Sequence, residues 1–411
     1  MSSSGPAKIA VGLSAALLLA LACAPPAAQP TDGASATLAQ SELDPPAIAD
    51  SLAPNLGVVA GTVAATWLEP MMDGETVTGH RLRFARVMGD SWSAPVTISE
   101  GSSFFANWAD LPGLVEFGDG TLVAHWLAKT ADDTYAYSVF LARSDDGGAT
   151  WTPMGKLNAD ETPTEHGFVS WVADGDGARA FWLDGRRMID GGAMTLRTSH
   201  VGSEIGPEVV LDERTCECCS TDAAVGDSGP VVVYRDRSET EVRDVALVRG
   251  SRAGWGAPQI IHADEWRIDG CPVNGPEIAA AGDRVAVAWF TGAAGRPAVQ
   301  LAFSDDGSGA FAEPVIIDAG TPLGRVDVAL DEDGSAWVTW MRIVEEHAEV
   351  RLLAVHANGE KGEEMLIGET SAGRASGFPR LARVGQALYV AWVEIDNGTP
   401  RRLRIKRLSP I

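Results

Sequence analysis

Tyrosine is scarce in this chain, with 4 residues against 13 tryptophans, so few phenols are available as nucleophiles. Positive charge is also short: 32 Lys and Arg face 56 Asp and Glu, for a formal charge of −24. A field of that sign repels nucleic acid and anionic membrane surfaces, and it excludes both as general partners. An anionic ligand would need a local cluster of arginines. Beyond the N-terminal region no apolar run is long enough to cross a bilayer, and no segment has a helical period. What remains is an all-β chain of 411 residues.

Residues 1–22 read as an export signal, with Lys8 as the positive flank and Ile9 to Leu21 as a short apolar run. The run ends in Leu19-Ala20-Leu21-Ala22-Cys23, which resembles a bacterial lipobox and implies a lipid on Cys23. Residues 23–45, rich in Ala, Pro, Thr, Ser and Gln, read as a disordered tether, and 46–411 as one domain. The expected location is the cell envelope, as an outer-membrane or periplasmic lipoprotein touching the membrane only through its lipid. The expected state is a monomer.

A short strand ending in an aromatic residue recurs at Trp67, Trp126, Trp182, Tyr234, Trp289, Trp340 and Trp392. Its neighbours in sequence are a preceding strand, a following strand such as LRFARV (82–87) or SVFLAR (138–143), and a short outer strand such as APVTI (94–98) or EPVII (313–317). The proline opening the outer strand suits an edge, where its missing N–H costs no ladder bond. Four antiparallel strands per unit make a propeller blade, and seven aromatic strands predict seven blades. The last unit lacks an outer strand, which Pro46 to Asp50 could supply from the N-terminal side.

Ser144 to Trp151 reads SDDGGATW, and a degenerate copy, SDDGSGAF, spans Ser304 to Phe311. Worn remnants stand at GDSW (89–92) and RAGW (252–255). Asp146 can accept turn N–H bonds, Gly148 permits positive φ, and Trp151 can plug between blades. The first copy matches the Asp-box at every defined position, and the chain resembles the sialidase-like propellers that carry such boxes. That family usually has six blades, the alternative to seven here. The resemblance implies that the Asp-box face is structural and that the ligand site lies among the loops of the opposite face.

Those loops concentrate charge. Loops after the aromatic strands carry Asp184, Arg186, Arg235, Asp236 and Arg237, and loops leading into the inner strands carry Asp110, Glu165, His166, Arg325, Asp327, Arg374 and Arg380. The resemblance implies three arginines clamping a carboxylate, an acid, and a tyrosine activated by a glutamate. The substrate-binding candidates are therefore Arg235, Arg237, Arg325, Arg374 and Arg186, and the catalytic candidates Asp236, Asp327 and Tyr234. Tyr234 occupies the slot held elsewhere by Trp, which is equally a packing position. The family's Arg-Ile-Pro motif is absent. The expectation is a propeller that binds, and in an active form hydrolyses, an anionic glycan in a central arginine-lined pocket. The alternatives are a binding or assembly platform without catalysis, and Cu or Zn handling at the cysteine cluster described next.

Cys216, Cys218 and Cys219 form C-x-C-C, and Cys271 lies in the corresponding loop of the next unit. Two disulfides are one reading in an oxidising compartment, including Cys216 or Cys218 to Cys271 as a staple between blades. A thiolate site for Cu(I) or Zn(II) is another, and otherwise no cofactor is expected.

Overall fold

The computed structural model describes residues 38–305, 310–396 and 399–411, with Met1 and Gly5. The export signal, Cys23 and residues 306–309 of the second Asp-box copy lie outside the described residues. From Leu38 onward the chain forms seven antiparallel sheets, each built on a path of four strands. The inner strands are Leu52–Val59, Gly113–Glu116, His166–Asp174, Asp222–Gly226, Glu277–Ala281, Pro322–Leu330 and Arg380–Val384. They stand side by side in that order around an axis, and the last lies beside the first. The protein is a seven-bladed propeller, blades I to VII in chain order. Among the described residues helix is confined to the 3-10 turns Arg186–Asp190, Ala293–Gly295 and Arg374–Ser376. None is long and apolar enough to cross a membrane.

Blade VII takes its outer strand from the N-terminal side, as expected, but from a different segment. Leu38–Glu42 pairs with Arg402–Pro410, with Leu38 opposite Pro410 and Glu42 opposite Lys406. The expected segment, Pro46 to Asp50, is bend and turn. Part of the stretch read as tether is therefore a strand of the ring. The prolines expected to open outer strands stand just ahead of them, Pro95 before Val96–Gly101 and Pro314 before Val315–Asp318.

The seven aromatic positions explain why the blades pack. Trp340 joins Val299 and Leu301 of blade V in one core cluster, and Trp182 joins Val123 and Leu127 of blade II. Trp126, Tyr234, Trp289 and Trp392 likewise face blades I, III, IV and VI. Trp67 faces Ala391 and Val393 of blade VII, which closes the circle. Each aromatic thus fills the seam with the preceding blade. Burying one is worth roughly 4–6 kcal/mol gross from about 150–250 Å² of surface.

The Asp-box lies between the third and fourth strands of blade II. Asp146 Oδ1 accepts from the Thr150 backbone N–H at 2.9 Å and the Ser144 hydroxyl at 2.8 Å. Those bonds, led by the Thr150 hydroxyl, hold its carboxyl down at about 2. Gly148 has φ +92°, and Trp151 packs edge-on to Phe84 of blade I at 5.9 Å. Trp255, in the worn copy RAGW, meets Phe181 of blade III in the same way at 5.5 Å. The box is a brace between blades, on the face opposite the loops considered next.

Candidate functional site

Arg186 and Tyr234, both expected in a ligand site, belong to a brace repeated from blade to blade. Indole N–H groups on the second strands are buried and need an acceptor. Trp182 Nε1 donates to Asp184 Oδ2 at 3.0 Å, Trp340 to Asp318 at 2.9 Å, and Trp67 to Glu69 at 3.0 Å. Each carboxylate then takes an arginine: Arg186 on Asp184 at 2.7 Å, Arg342 on Asp318 at 2.7 Å, and Arg83 on Glu69 at 3.3 Å. Arg186 also reaches Asp160 and Glu208. In blade IV Tyr234 replaces the tryptophan and its hydroxyl donates to Asp212. Its phenol is buried and its pKa is pushed up by burial and by Asp212. Arg186 and Tyr234, expected in a substrate site, are brace residues.

The other candidates in blade IV are also committed. Arg235 is 1% exposed and donates to the carbonyl oxygens of Asn274, Arg243 and Phe290, with its guanidinium 4.8 Å from the centre of the Trp266 ring. Arg237 is held by Glu217 and Glu241. Asp236 is half-buried, and burial pushes its carboxyl up to about 6. Arg325 points across to blade VII, donating to Ser376 Oγ and the Gly377 carbonyl at 2.9 Å each. It stacks over Trp108 at 4.9 Å, and burial plus the charge of Arg374 lowers it to about 10. Of the three arginines from different blades that could converge as a clamp, Arg235, Arg325 and Arg374, only Arg374 is exposed. The clamp of Arg235, Arg325 and Arg374 is not assembled, because two of its members spend their donors on backbone carbonyls.

The axis holds a cavity of about 160 Å³ at the starts of the inner strands, lined by Asp110, His125, Trp171, Asp222, Glu277 and Arg380 among others. It is acidic rather than arginine-lined. Three carboxylates at this end of the inner strands share one job: each caps the backbone of another blade's inner strand. Asp110 accepts from Phe168 N–H at 2.8 Å, Asp222 from Ile278 at 2.8 Å and Asp327 from Leu381 at 2.7 Å. Asp327, expected as an acid, is thereby a ring-sealing residue; burial pushes it up to about 6 against the pull of Arg380. Arg380 is the single guanidinium in the cavity wall and pairs with Glu277 at 2.9 Å and Asp327 at 3.2 Å. Burial also raises Asp222, Glu277 and Asp110. Two carboxyl oxygens in this wall, Asp110 Oδ2 and Glu277 Oε2, are buried with no partner in good hydrogen-bond geometry among the described residues, although Asp110 stands beside the Tyr137 hydroxyl and Glu277 beside Asp222.

Beside the cavity lies a pair the sequence reading passed over. Tyr137 is fully buried, stacks on Phe105 at 4.2 Å, and donates its hydroxyl to Glu165 at 2.5 Å. Burial pushes Glu165 up to about 7, against the Tyr137 bond. The phenol rises through burial and the charges of Asp110 and Glu165. Tyr137 and Glu165 are 28 residues apart and come from neighbouring blades, so only their shared position on the loop face links them in sequence.

The cysteines separate into two pairs. Cys218 and Cys271 are joined, stapling the loops that lead into blades IV and V. Cys216 and Cys219 are buried thiols with their sulfurs 3.2 Å apart. The sulfurs of Cys216, Cys218 and Cys219 lie within 4.8 Å of one another, close enough to hold a metal ion, with Cys218 bonded to Cys271. The Cys219 hydrogen bond, then a backbone N–H, Arg235 and Arg243, lower Cys216 to about 6 against burial. Burial raises Cys219.

No family model matches the chain, and no curated protein matches it in sequence. Solved structures do resemble it. One is a protein of unknown function from Dyadobacter fermentans (TM-score 0.50, 12% identity, 90% of this chain and 98% of that one). Another is the polysaccharide lyase Uly1 (TM-score 0.52, 8% identity, 87% and 89%). Trypanosoma rangeli sialidase in complex with the inhibitor DANA is a weaker match (TM-score 0.46, 13% identity, 75% and 56%). At these identities the likeness is one of fold.

Proposed function

We propose that this chain is a glycan-binding propeller of the cell envelope, carried there by the signal over 1–22 and a lipid on Cys23, and that it seats an uncharged sugar residue in the axial cavity. The observation behind this reading is the pair of unpartnered buried oxygens, Asp110 Oδ2 and Glu277 Oε2, in the wall of the cavity. Buried carboxyl oxygens without partners are costly, and sugar hydroxyls, which both donate and accept, are partners of the right kind. The Trp171 side chain offers an apolar wall beside them. The same carboxylates argue against an anionic sugar, because the one arginine present is already paired. The fold it shares with a polysaccharide lyase supports the glycan class and leaves catalysis to be tested.

Calorimetric titration with a panel of neutral hexoses and with N-acetylneuraminic acid tests the reading. A neutral sugar should bind, Asp110→Asn should weaken it by about tenfold or more, and Arg374→Ala should leave it unchanged. Binding of sialic acid that is lost with Arg374→Ala would overturn the proposal. A second reading, glycosidase chemistry, rests on the Tyr137–Glu165 bond beside Asp110. It predicts turnover of a fluorogenic glycoside that disappears in Tyr137→Phe.

A further inference from the structure

Four sulfurs meet at the seam of blades IV and V, and only two are bonded. Cys216, Glu217, Cys218 and Cys219 follow Thr215, which bridges to Asp236 across the blade. The Cys216 backbone N–H donates to the Arg235 carbonyl at 2.9 Å, so the segment begins from a fixed point. Cys218 leaves toward Cys271, while Cys216 and Cys219 turn inward with their sulfurs 3.2 Å apart. The spacing of this inward pair is C-x-x-C. Arg243 Nη1 lies 3.2 Å from Cys216 Sγ and also bonds Glu217, while its Nη2 bonds Glu241. Cys219 meets the Asn274 backbone N–H and feels the charge of Arg235, but no guanidinium contact to it matches that of Arg243 to Cys216 among the described residues, so the pair is asymmetric.

A guanidinium against a sulfur opposes a metal cation and favours a thiolate. Two remaining thiols are also too few for a structural zinc site. We propose that Cys216 and Cys219 are a reversible dithiol–disulfide couple, distinct from the Cys218–Cys271 staple, that exchanges with low-molecular-weight disulfides. Cys216 thiolate attacks one sulfur of the small disulfide, breaking its S–S bond and releasing one thiolate, which takes up a proton. Cys219, deprotonated, then attacks Cys216 Sγ, forming the protein disulfide and releasing the second small thiol. Two protein thiols are oxidised and one small disulfide is reduced to two thiols. Because Cys216 and Cys219 are each 1% exposed, exchange requires the neighbouring ion pairs of Glu217 with Arg237 and Arg243 to part, and the partner must be small. A protein disulfide cannot be brought up to them. Arg243 stabilises the reduced, thiolate form, which makes the couple the more oxidising of the two pairs.

The test is equilibration of the folded chain in glutathione buffers of stepped ratio, followed by acid quenching, alkylation and peptide mass mapping. The expected result is two steps: Cys216 and Cys219 exchange two thiols for a disulfide under mild conditions, while Cys218–Cys271 stays joined until strong reductant or denaturant is added. Cys219→Ser should be trapped with one glutathione on Cys216, and Arg243→Gln should shift the wild-type equilibrium constant about tenfold toward the disulfide, equivalent to about 30 mV. The proposal is overturned if Cys216 and Cys219 remain thiols at every ratio, if all four cysteines reduce in one step, or if the thiols prove to be masked by a metal released to a chelator.

Discussion

Replacing Arg235 by methionine separates the structural reading of this residue from a ligand-binding one. The side chain is 1% exposed and satisfies the carbonyl oxygens of Asn274, Arg243 and Phe290 at distances of 2.7–3.0 Å. Methionine keeps most of the volume, so the loss is mainly of donors. Three buried acceptors left unpaired cost about 1–3 kcal/mol each, and the contact with the Trp266 ring about 1–2 more. The relief of desolvating a guanidinium and the entry of a water offset part of this, leaving an expected loss of about 3–5 kcal/mol. Urea unfolding followed by tryptophan fluorescence measures it. Arg235→Met should shift the midpoint strongly while glycan affinity of the folded fraction stays unchanged. A loss below about 1 kcal/mol, or full stability with abolished binding, would refute the reasoning and return Arg235 to the site.

Other outcomes follow from the titrating groups and from the brace. Glu165 stands at about 7, above its ordinary value, so its stabilising contribution is full below about 4.5 and is lost as pH rises through 7. Glu165→Gln should therefore remove about 3 kcal/mol of stability loss between pH 4.5 and 8, read from urea melts at each pH. His125 has the opposite sign: burial pushes it down to about 4, so stability falls as pH drops from 6.5 to 4. His125→Gln should flatten that acid limb by about 3 kcal/mol, visible in acid titration of the fluorescence. A Cβ on Gly148 would stand 2.3 Å from the Phe84 ring, at φ +92°. Gly148→Ala should cost about 2 kcal/mol or more and lower the thermal midpoint.

The fold was legible because its evidence is local and repeated. A seam-filling aromatic every 51–59 residues declares a blade without knowledge of what it packs against. The Asp-box closes its bonds within eight residues, Ser144 to Trp151, and could be read outright. The outer strand of blade VII was not legible: LAQSE (38–42) has no apolar alternation, and only its pairing with Arg402–Pro410 makes it a strand. The site was read least well, because charge says nothing of its partner. Arg186 and Arg235 look alike in sequence, yet one braces a carboxylate and the other is wrapped in carbonyls. Conversely, Tyr137 and Glu165 carry no signal as a pair. Their meeting depends on two blades being packed.

The seam at Leu38–Glu42 also sets a schedule for assembly. Its partner, Arg402–Pro410, is the last strand of the chain described here, so this pairing spans nearly the whole sequence. Blades I to VI can form hairpin by hairpin as the chain lengthens, because each needs only neighbours already made. Leu38–Glu42 must wait throughout with its backbone unpaired. Sealing the ring is thus the contact of longest range and greatest loop-closure entropy, and the step expected to govern the rate of folding. Until it occurs, the Arg402–Pro410 edge stands unpaired, and another open copy could add to it.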